Sequence, residues 1–191
     1  LMRFPLGILA QYIGRKNAAM VEMGLIVAAL AFGYAMVDTY DEVLAMGVLL
    51  GIAGASFGVA LSLGSGWYPP KYKGLAMGIA GAGNSGTALA ALFAPGLAAA
   101  YGWVNVFGLA LIPLAVVFVL YLVMAKDAPE CPAPKSMGEY LQVLKDKDAW
   151  WFMFFYSVTF GGFVGLASSL TIYFNTQYGL DAKTAGYFTA A

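Results

Sequence analysis

Histidine is absent from the 191 residues, and cysteine occurs once, at Cys131. One thiol makes no disulfide framework, and neither a zinc site of the Cys/His kind nor a histidine general base can be assembled from this composition. Charge is sparse too: ten Lys and Arg and ten Asp and Glu cancel, together 10% of the chain. A chain without net charge carries no electrostatic footprint for nucleic acid, so its charges matter by where they fall. Segments of about ten residues alternating in polarity, which a membrane β-barrel requires, are missing as well.

What is present is apolar. Hydrophobic residues make up 61% of the chain and glycine fills 24 positions, a mixture foreign to a water-soluble domain of this size. The solvent for such a surface is lipid. From Gly74 to Ala125 run 52 residues without one Asp, Glu, Lys or Arg, room for two crossings at about 20 residues each. Helix is the conformation open to these runs, because backbone groups in hydrocarbon must be satisfied within their own segment.

Apolar runs bounded by charge, Pro or Gly predict six spans: Leu1 to Ile13 (the end of one), Ala18 to Val37, Val43 to Gly66, Leu75 to Ala100, Val104 to Met124 and Trp150 to Thr176. A further helix starts near Thr184. The predicted fold class is all-α, a polytopic transmembrane helical bundle. The helical pattern is already running at Leu1, which is not methionine, so the chain is expected to be an internal piece of a longer protein.

Basic residues fall in alternate connections: Arg15 and Lys16, then Lys71 and Lys73, then Lys126, Lys135, Lys145 and Lys147. By the positive-inside rule these loops are cytoplasmic. The intervening turns hold Lys183 against Asp38, Asp41, Glu42 and Asp181. The longest connection, 126–149, opens with Pro129, Pro132 and Pro134 and continues into SMGEYLQVLKDK. Ser136 and Glu139 there predict a capping box, with Met137, Tyr140, Leu141 and Leu144 at helical spacing behind it. A short amphipathic helix on the cytoplasmic surface follows, dividing an N-terminal bundle, 1–125, from the start of a second, 150–191.

Depth can be counted at 1.5 Å per residue across a core of about 30 Å. Arg3, eleven residues before Gly14, comes out about 16 Å deep; Asn84, ten past Gly74, about 15 Å; Phe57, twelve before Pro69, about 18 Å. Tyr156 and Phe160, seven and eleven past Ala149, come out at about 10 and 16 Å. A buried arginine either snorkels, pairs with an acid or faces a cavity. The one acid inside the visible spans, Glu22, lies near the cytoplasmic end and reads as a surface or helix-end partner. With no carboxylate at its level, the Arg3 guanidinium suits a small anion, held through its planar fork of N–H groups.

The segment GLAMGIAGAGNSGTALAALFAP contains Gly81, Gly83 and Gly86 in the spacing G-x-G-x-x-G. Its context rejects a dinucleotide site: no strand precedes it, it lies in an apolar helix, and no acid follows until Asp127. Gly74, Gly78, Ala82 and Gly86 also form a small-residue row suited to close helix packing. That row leaves Asn84 unexplained, an amide at mid-depth on one face with Thr87 and Ala91. Asn84 either bonds a neighbouring helix or serves a ligand. Tyr156 and Phe160, one turn apart in FYSVTFGGFVGL, either pack or line a site.

The string GLAMGIAGAGNSGTALAALFAPGLA closely resembles the glycine-rich signature in the fifth helix of the nitrate/nitrite porter family, within the major facilitator superfamily. RFPLGILAQYIGRK resembles the end of helix two with the facilitator loop motif, WYPPKYKGLA the loop from helix four to five, and FYSVTFGGFVGL helix seven. The resemblance covers nearly the whole chain in order. It implies a twelve-helix, two-bundle inner-membrane transporter moving nitrate or nitrite by alternating access, monomeric, without a cofactor, its partners the anion and the lipid bilayer. It further implies that Arg3 is the first anion-clamping arginine and that Asn84 with Gly83 and Gly86 lines the site. Tyr156 and Phe160 contribute from helix seven, and Phe57 is the helix-four aromatic. A second arginine in helix eight and a second signature in helix eleven are expected beyond Ala191. One departure stands out: where the loop motif carries an acid and an arginine, this chain has Gln11 and Tyr12.

Two rival readings stay open. Another facilitator of small organic anions would share the architecture and Arg3 but lack the asparagine-glycine signature. A membrane-embedded enzyme or sensor is disfavoured, since no histidine, mid-depth acid or nucleophile–base pair is visible. Proton symport and nitrate/nitrite exchange are both compatible with the residues.

Overall fold

A computed structural model describes residues 3–54, 56–127 and 136–191, the side chains of Arg3, Ala53 and Ser56 excepted. Cys131, Pro129, Pro132, Pro134 and Lys135 lie outside the described residues. Among the described residues ten α-helices follow one another: α1 Arg3–Ile13, α2 Arg15–Met36, α3 Tyr40–Ala53, α4 Ser56–Ser65, α5 Lys73–Gly81, α6 Gly86–Tyr101, α7 Trp103–Met124, α8 Met137–Gln142, α9 Lys147–Tyr178 and α10 Ala182–Ala190. Five helical stretches among the described residues are long and apolar enough to cross a membrane: Arg15–Met36, Tyr40–Ser65, Pro70–Tyr101, Trp103–Met124 and Lys147–Tyr178. Phe4–Ile13 is a shorter apolar helix. These match the predicted spans in order.

Two of the spans are built differently from the expectation of one continuous helix. Val43 to Gly66 is made of α3 and α4, with Gly54 capping α3 by donating its N–H to Leu50 O at 2.8 Å. Leu75 to Ala100 is α5 and α6 joined by a 3₁₀ turn, Ala82–Ser85. Gly81, Gly83 and Gly86 explain the second interruption, since each glycine disfavours α-helix by about 1 kcal/mol relative to alanine. A Cβ placed on Gly74, Gly78 or Gly86 meets no atom within 4 Å. The small-residue row therefore has no close-packed partner among the described residues.

The chain divides into two compact units. One holds Leu1–Gly83 and Ala100–Pro134, the other Asn84–Ala99 and Lys135–Ala191. In the first, α2 packs against α1, α3, α4 and α7. Small side chains permit this, as Ala10, Ala18, Ala19 and Val59 form a buried cluster with Ile13 and Tyr121 packed on it. A Cβ on Gly33 would strike Met46 Sδ and sit 3.5 Å from the Phe107 ring, so α2 meets α3 and α7 where it has no side chain. The turn into α2 depends on Gly14, whose φ of 87° and ψ of 147° suit glycine alone. Glu22 corrects the sequence reading: it is not a surface partner but wholly enclosed, 0% exposed.

In the second unit α9 packs against α10. Thr171 Oγ1 donates to Thr189 Oγ1 at 2.9 Å, Asn175 Nδ2 donates to Leu180 O at 2.7 Å, and the Phe174 and Phe188 rings lie 5.7 Å apart. The predicted capping box is present, with Ser136 N–H donating to Glu139 Oε2 at 2.7 Å. The helix behind it is shorter than expected, six residues of α8 followed by the 3₁₀ turn Val143–Lys145.

Asp181 caps α10, accepting from Thr184 N–H at 3.2 Å. Hydrogen bonds from the Thr184 side chain and backbone hold its carboxyl below the ordinary value of 3.8. A depressed folded value means that the cap is complete above 3.8 and is lost as pH falls through the lower, folded value. Amide exchange at Thr184 and Ala185, corrected for intrinsic rates, should therefore accelerate on acidification through that range. Asp181→Asn should remove the pH dependence; an unaltered acid-side profile would contradict the assignment.

Candidate functional site

The predicted site residues are divided between the two units, and each unit is described by itself. In the first, α1 carries Arg3 at its start; the Arg3 side chain lies outside the described residues. Ten residues separate Arg3 from the end of α1 at Ile13, about 15 Å of helix. Phe57 is half-buried on α4. That helix ends at Ser65, eight residues on, so Phe57 is about 12 Å from the helix end rather than the 18 Å counted to Pro69. Gly83 is exposed, in the 3₁₀ turn.

At the other end of α1 the loop motif makes contacts of its own. Arg15 Nη1 donates to Ser62 O at 2.9 Å, tying α2 to α4. A small cavity of about 220 Å³ beside this bond is lined by Gly7, Gln11, Arg15, Gly58 and Ser62, among others. Asp127, just past the end of α7, accepts from Lys16 N–H at 2.8 Å. A carboxylate thus sits at the N-terminus of α2, where the helix dipole favours negative charge. Gln11 carries no acid, and the acid found at this corner comes from a position 111 residues away.

In the second unit, Asn84 is half-buried in the 3₁₀ turn, with Gly86 opening α6 behind it. Thr87 Oγ1 donates to Asn84 O at 2.7 Å. Three residues of the path from Gly74 to Asn84 are in 3₁₀ geometry and rise about 2.0 Å each, not 1.5 Å, so the path is about 17 Å long against the about 15 Å counted from sequence. Tyr156 and Phe160 stack on one face of α9, ring centroids 5.1 Å apart and planes 9° from parallel. Phe163 continues the row, 6.3 Å from Phe160. The one-turn spacing read from sequence is therefore a stacked aromatic pair, and about half of the Tyr156 surface, 49%, remains exposed.

Two features escaped the sequence reading. The enclosure of Glu22 depends on α7, about a hundred positions away, and only its place among Ala18, Ala19 and Ala29 hinted at a buried face. The second is a capping box at α3, where the N–H groups of Asp38 and Thr39 both donate to Glu42 Oε2 at 2.8 Å. The pattern Thr39-x-x-Glu42 signals it directly. Among the described residues, no three or more His, Cys, Asp or Glu side chains converge to hold a metal ion.

The profile of the Major Facilitator Superfamily matches residues 1–191, the whole chain. The chain is 34% identical over 191 residues to the "Nitrite extrusion protein" of Bacillus subtilis (strain 168), a match to all of this chain and 48% of that protein. It is 31% identical over 186 residues to the "Probable nitrate/nitrite transporter NarK2" of Mycobacterium tuberculosis, covering 93% of this chain and 47% of that one. To the "Probable nitrate/nitrite antiporter NarK1" of Thermus thermophilus it is 29% identical over 203 residues, covering 46% of that protein. The chain spans about half the length of the curated relatives it matches. These are names of transporters, not of enzymes. No solved structure matches. With a family profile matched from end to end and helices of membrane-crossing length along it, the chain belongs to the major facilitator superfamily, where it resembles the nitrate and nitrite porters.

Proposed function

We propose that the whole protein carries nitrate and nitrite across the inner membrane by alternating access, in two bundles joined through the 126–149 connection. The loops at Arg15, Lys71 and Lys135 face the cytoplasm in this reading. The observation that carries it is the likeness, along the entire chain, to relatives named as nitrate or nitrite transporters. The interruption at Asn84 supports it, because broken helices at mid-depth are where secondary transporters gather substrate groups.

Arg3 neutralises the anion through its fork of N–H donors, and Asn84, on a backbone that Gly83 and Gly86 keep bare, replaces part of the lost hydration. Tyr156 offers a hydroxyl and Phe160 an apolar wall, while Phe57 covers the anion from the α4 side. Taking up the anion removes the cost of an unpaired guanidinium in hydrocarbon, which lets the bundles rock about the filled site. A competition experiment tests the substrate. In vesicles holding the full-length protein, excess nitrite should suppress uptake of labelled nitrate about tenfold, and formate or oxalate at the same concentration should not. Suppression by the carboxylates alone would favour a transporter of small organic anions.

A further inference from the structure

Glu22 has no role in the substrate reading, yet it is the most completely enclosed charged residue described. None of its surface is exposed, and neither carboxyl oxygen has a hydrogen-bond partner among the described residues. The hydroxyl of Tyr121 on α7 is also buried without a partner among the described residues, and Tyr121 lies within electrostatic reach of both Glu22 and Asp127. Ala19, one turn before Glu22 on α2, and Met23, its immediate neighbour, line a groove of about 580 Å³ that also includes Leu63, Trp67, Tyr121 and Lys126. The groove opens at the end of the unit where Arg15, Lys71 and Lys126 fall, the cytoplasmic end in the transporter reading.

The charges around Glu22 are few. On α2 itself, Arg15 is engaged with Ser62 O, and Lys16 sits at the helix start. From α7 and the residues after it come Tyr121, Lys126 at the groove and Asp127, which holds the Lys16 N–H. On α1, Tyr12 is exposed, and Arg3 is at the far end. On α3, Tyr40, Asp41 and Glu42 stand at its first turn, and α4 has no titratable residue. An ionised carboxylate enclosed with neither a bonded cation nor a donor costs several kcal/mol, whereas the protonated acid carries no charge to desolvate. A metal cation would require about six oxygen ligands, and among the described residues no cluster of three or more acidic, His or Cys side chains is present to supply them.

We propose that Glu22 is a proton-binding site of the transport cycle, filled and emptied through the groove that Tyr121 lines. A solvent proton adds to the carboxylate to give the neutral acid, and no other bond forms or breaks. The enclosed arrangement keeps that proton; parting of α2, α4 and α7 admits water, which receives it. Proton occupancy and helix closure are then linked, so each favours the other. This coupling rests on the transporter reading, and with a univalent anion it makes symport of one proton electroneutral.

The test uses the full-length protein in lipid vesicles and infrared difference spectra between acid and alkaline buffer, without any anion substrate. A protonated carboxyl band should titrate in the wild type and be missing in Glu22→Gln, and nitrate uptake by Glu22→Gln should lose its pH dependence. Superimposable wild-type and Glu22→Gln spectra would overturn the proposal. Should Glu22→Gln fail to fold, Tyr121→Phe serves: it removes a buried hydroxyl dipole within electrostatic reach of the carboxyl, so the band should persist with a shifted midpoint, and an unmoved midpoint would overturn the proposal. Because the band is read without nitrate, it reports on Glu22 even if nitrate and nitrite prove not to be carried, an outcome that would sink the transporter reading by itself.

Discussion

Replacing Arg3 by lysine in the full-length protein should lower nitrate uptake about 10- to 100-fold. Lysine keeps the positive charge and nearly the same reach, so the change isolates geometry. A guanidinium presents parallel N–H donors to two oxygens of a planar anion, while an ammonium presents a point charge. Losing one charge-assisted hydrogen bond is worth about 1.5–3 kcal/mol, and that range sets the expected factor. Initial rates of labelled nitrate uptake in vesicles, normalised to protein inserted, provide the comparison. Wild-type rates in Arg3→Lys would remove Arg3 from the anion site and leave the membrane architecture as it is.

A second large effect is expected at Gly186, in the contact of α10 with α6. Pro95 lies inside α6 and has no N–H, so the carbonyl of Ala91, four residues earlier, loses its helical donor. Gly186 sits against that carbonyl: a Cβ there would collide with Ala91 O and approach Pro95 Cγ to 3.0 Å. The neighbouring Ala185 is completely buried. Proline thus opens a polar atom on one helix, and glycine on the other allows the backbones to meet there, with a Cα–H facing the oxygen. Gly186→Ala should destabilise the protein by about 1–3 kcal/mol, and Gly186→Leu by more, since the obstruction is backbone rather than a flexible side chain. Thermal unfolding of the full-length protein in detergent reads the loss, and an unchanged midpoint for both variants would show that α6 and α10 do not meet this closely.

The fold was legible because lipid imposes a simple rule on sequence: long uncharged runs must be helical, and charges mark their ends. Legibility failed where glycine changes the winding within a run. Hydropathy is blind to the difference between α and 3₁₀ geometry, so neither the end of α3 at Gly54 nor the turn at Ala82–Ser85 could be read from it. Local capping is readable from sequence at two helix starts, at Ser136 with Glu139 and at Thr39 with Glu42. At the second, charge hides the helix: Asp41 and Glu42 lie outside the apolar run that starts at Val43, so hydropathy places in the loop what is the first turn of α3. Long-range partners were out of reach: nothing near Lys16 announces Asp127, and nothing near Glu22 announces Tyr121.

The candidate site divides along the same line. The one-turn interval between Tyr156 and Phe160 foretold a stacked pair, because helix geometry fixes neighbours at that spacing. Counting at about 1.5 Å per residue gives the helix length where the winding is regular, as from Arg3 to Ile13, and departs from it where the winding changes at Ala82–Ser85 or where α4 stops at Ser65.

The most direct test asks whether an anion covers Asn84. In the full-length protein with native cysteines replaced, Asn84→Cys is exposed to a small charged thiol reagent with and without nitrate. Nitrate should slow modification several-fold, at concentrations that also saturate uptake by the parent, and the protection should vanish when Arg3→Lys is added. Equal modification rates with and without nitrate, in a protein that still transports it, would mean that the anion passes elsewhere and that the broken helix serves packing alone.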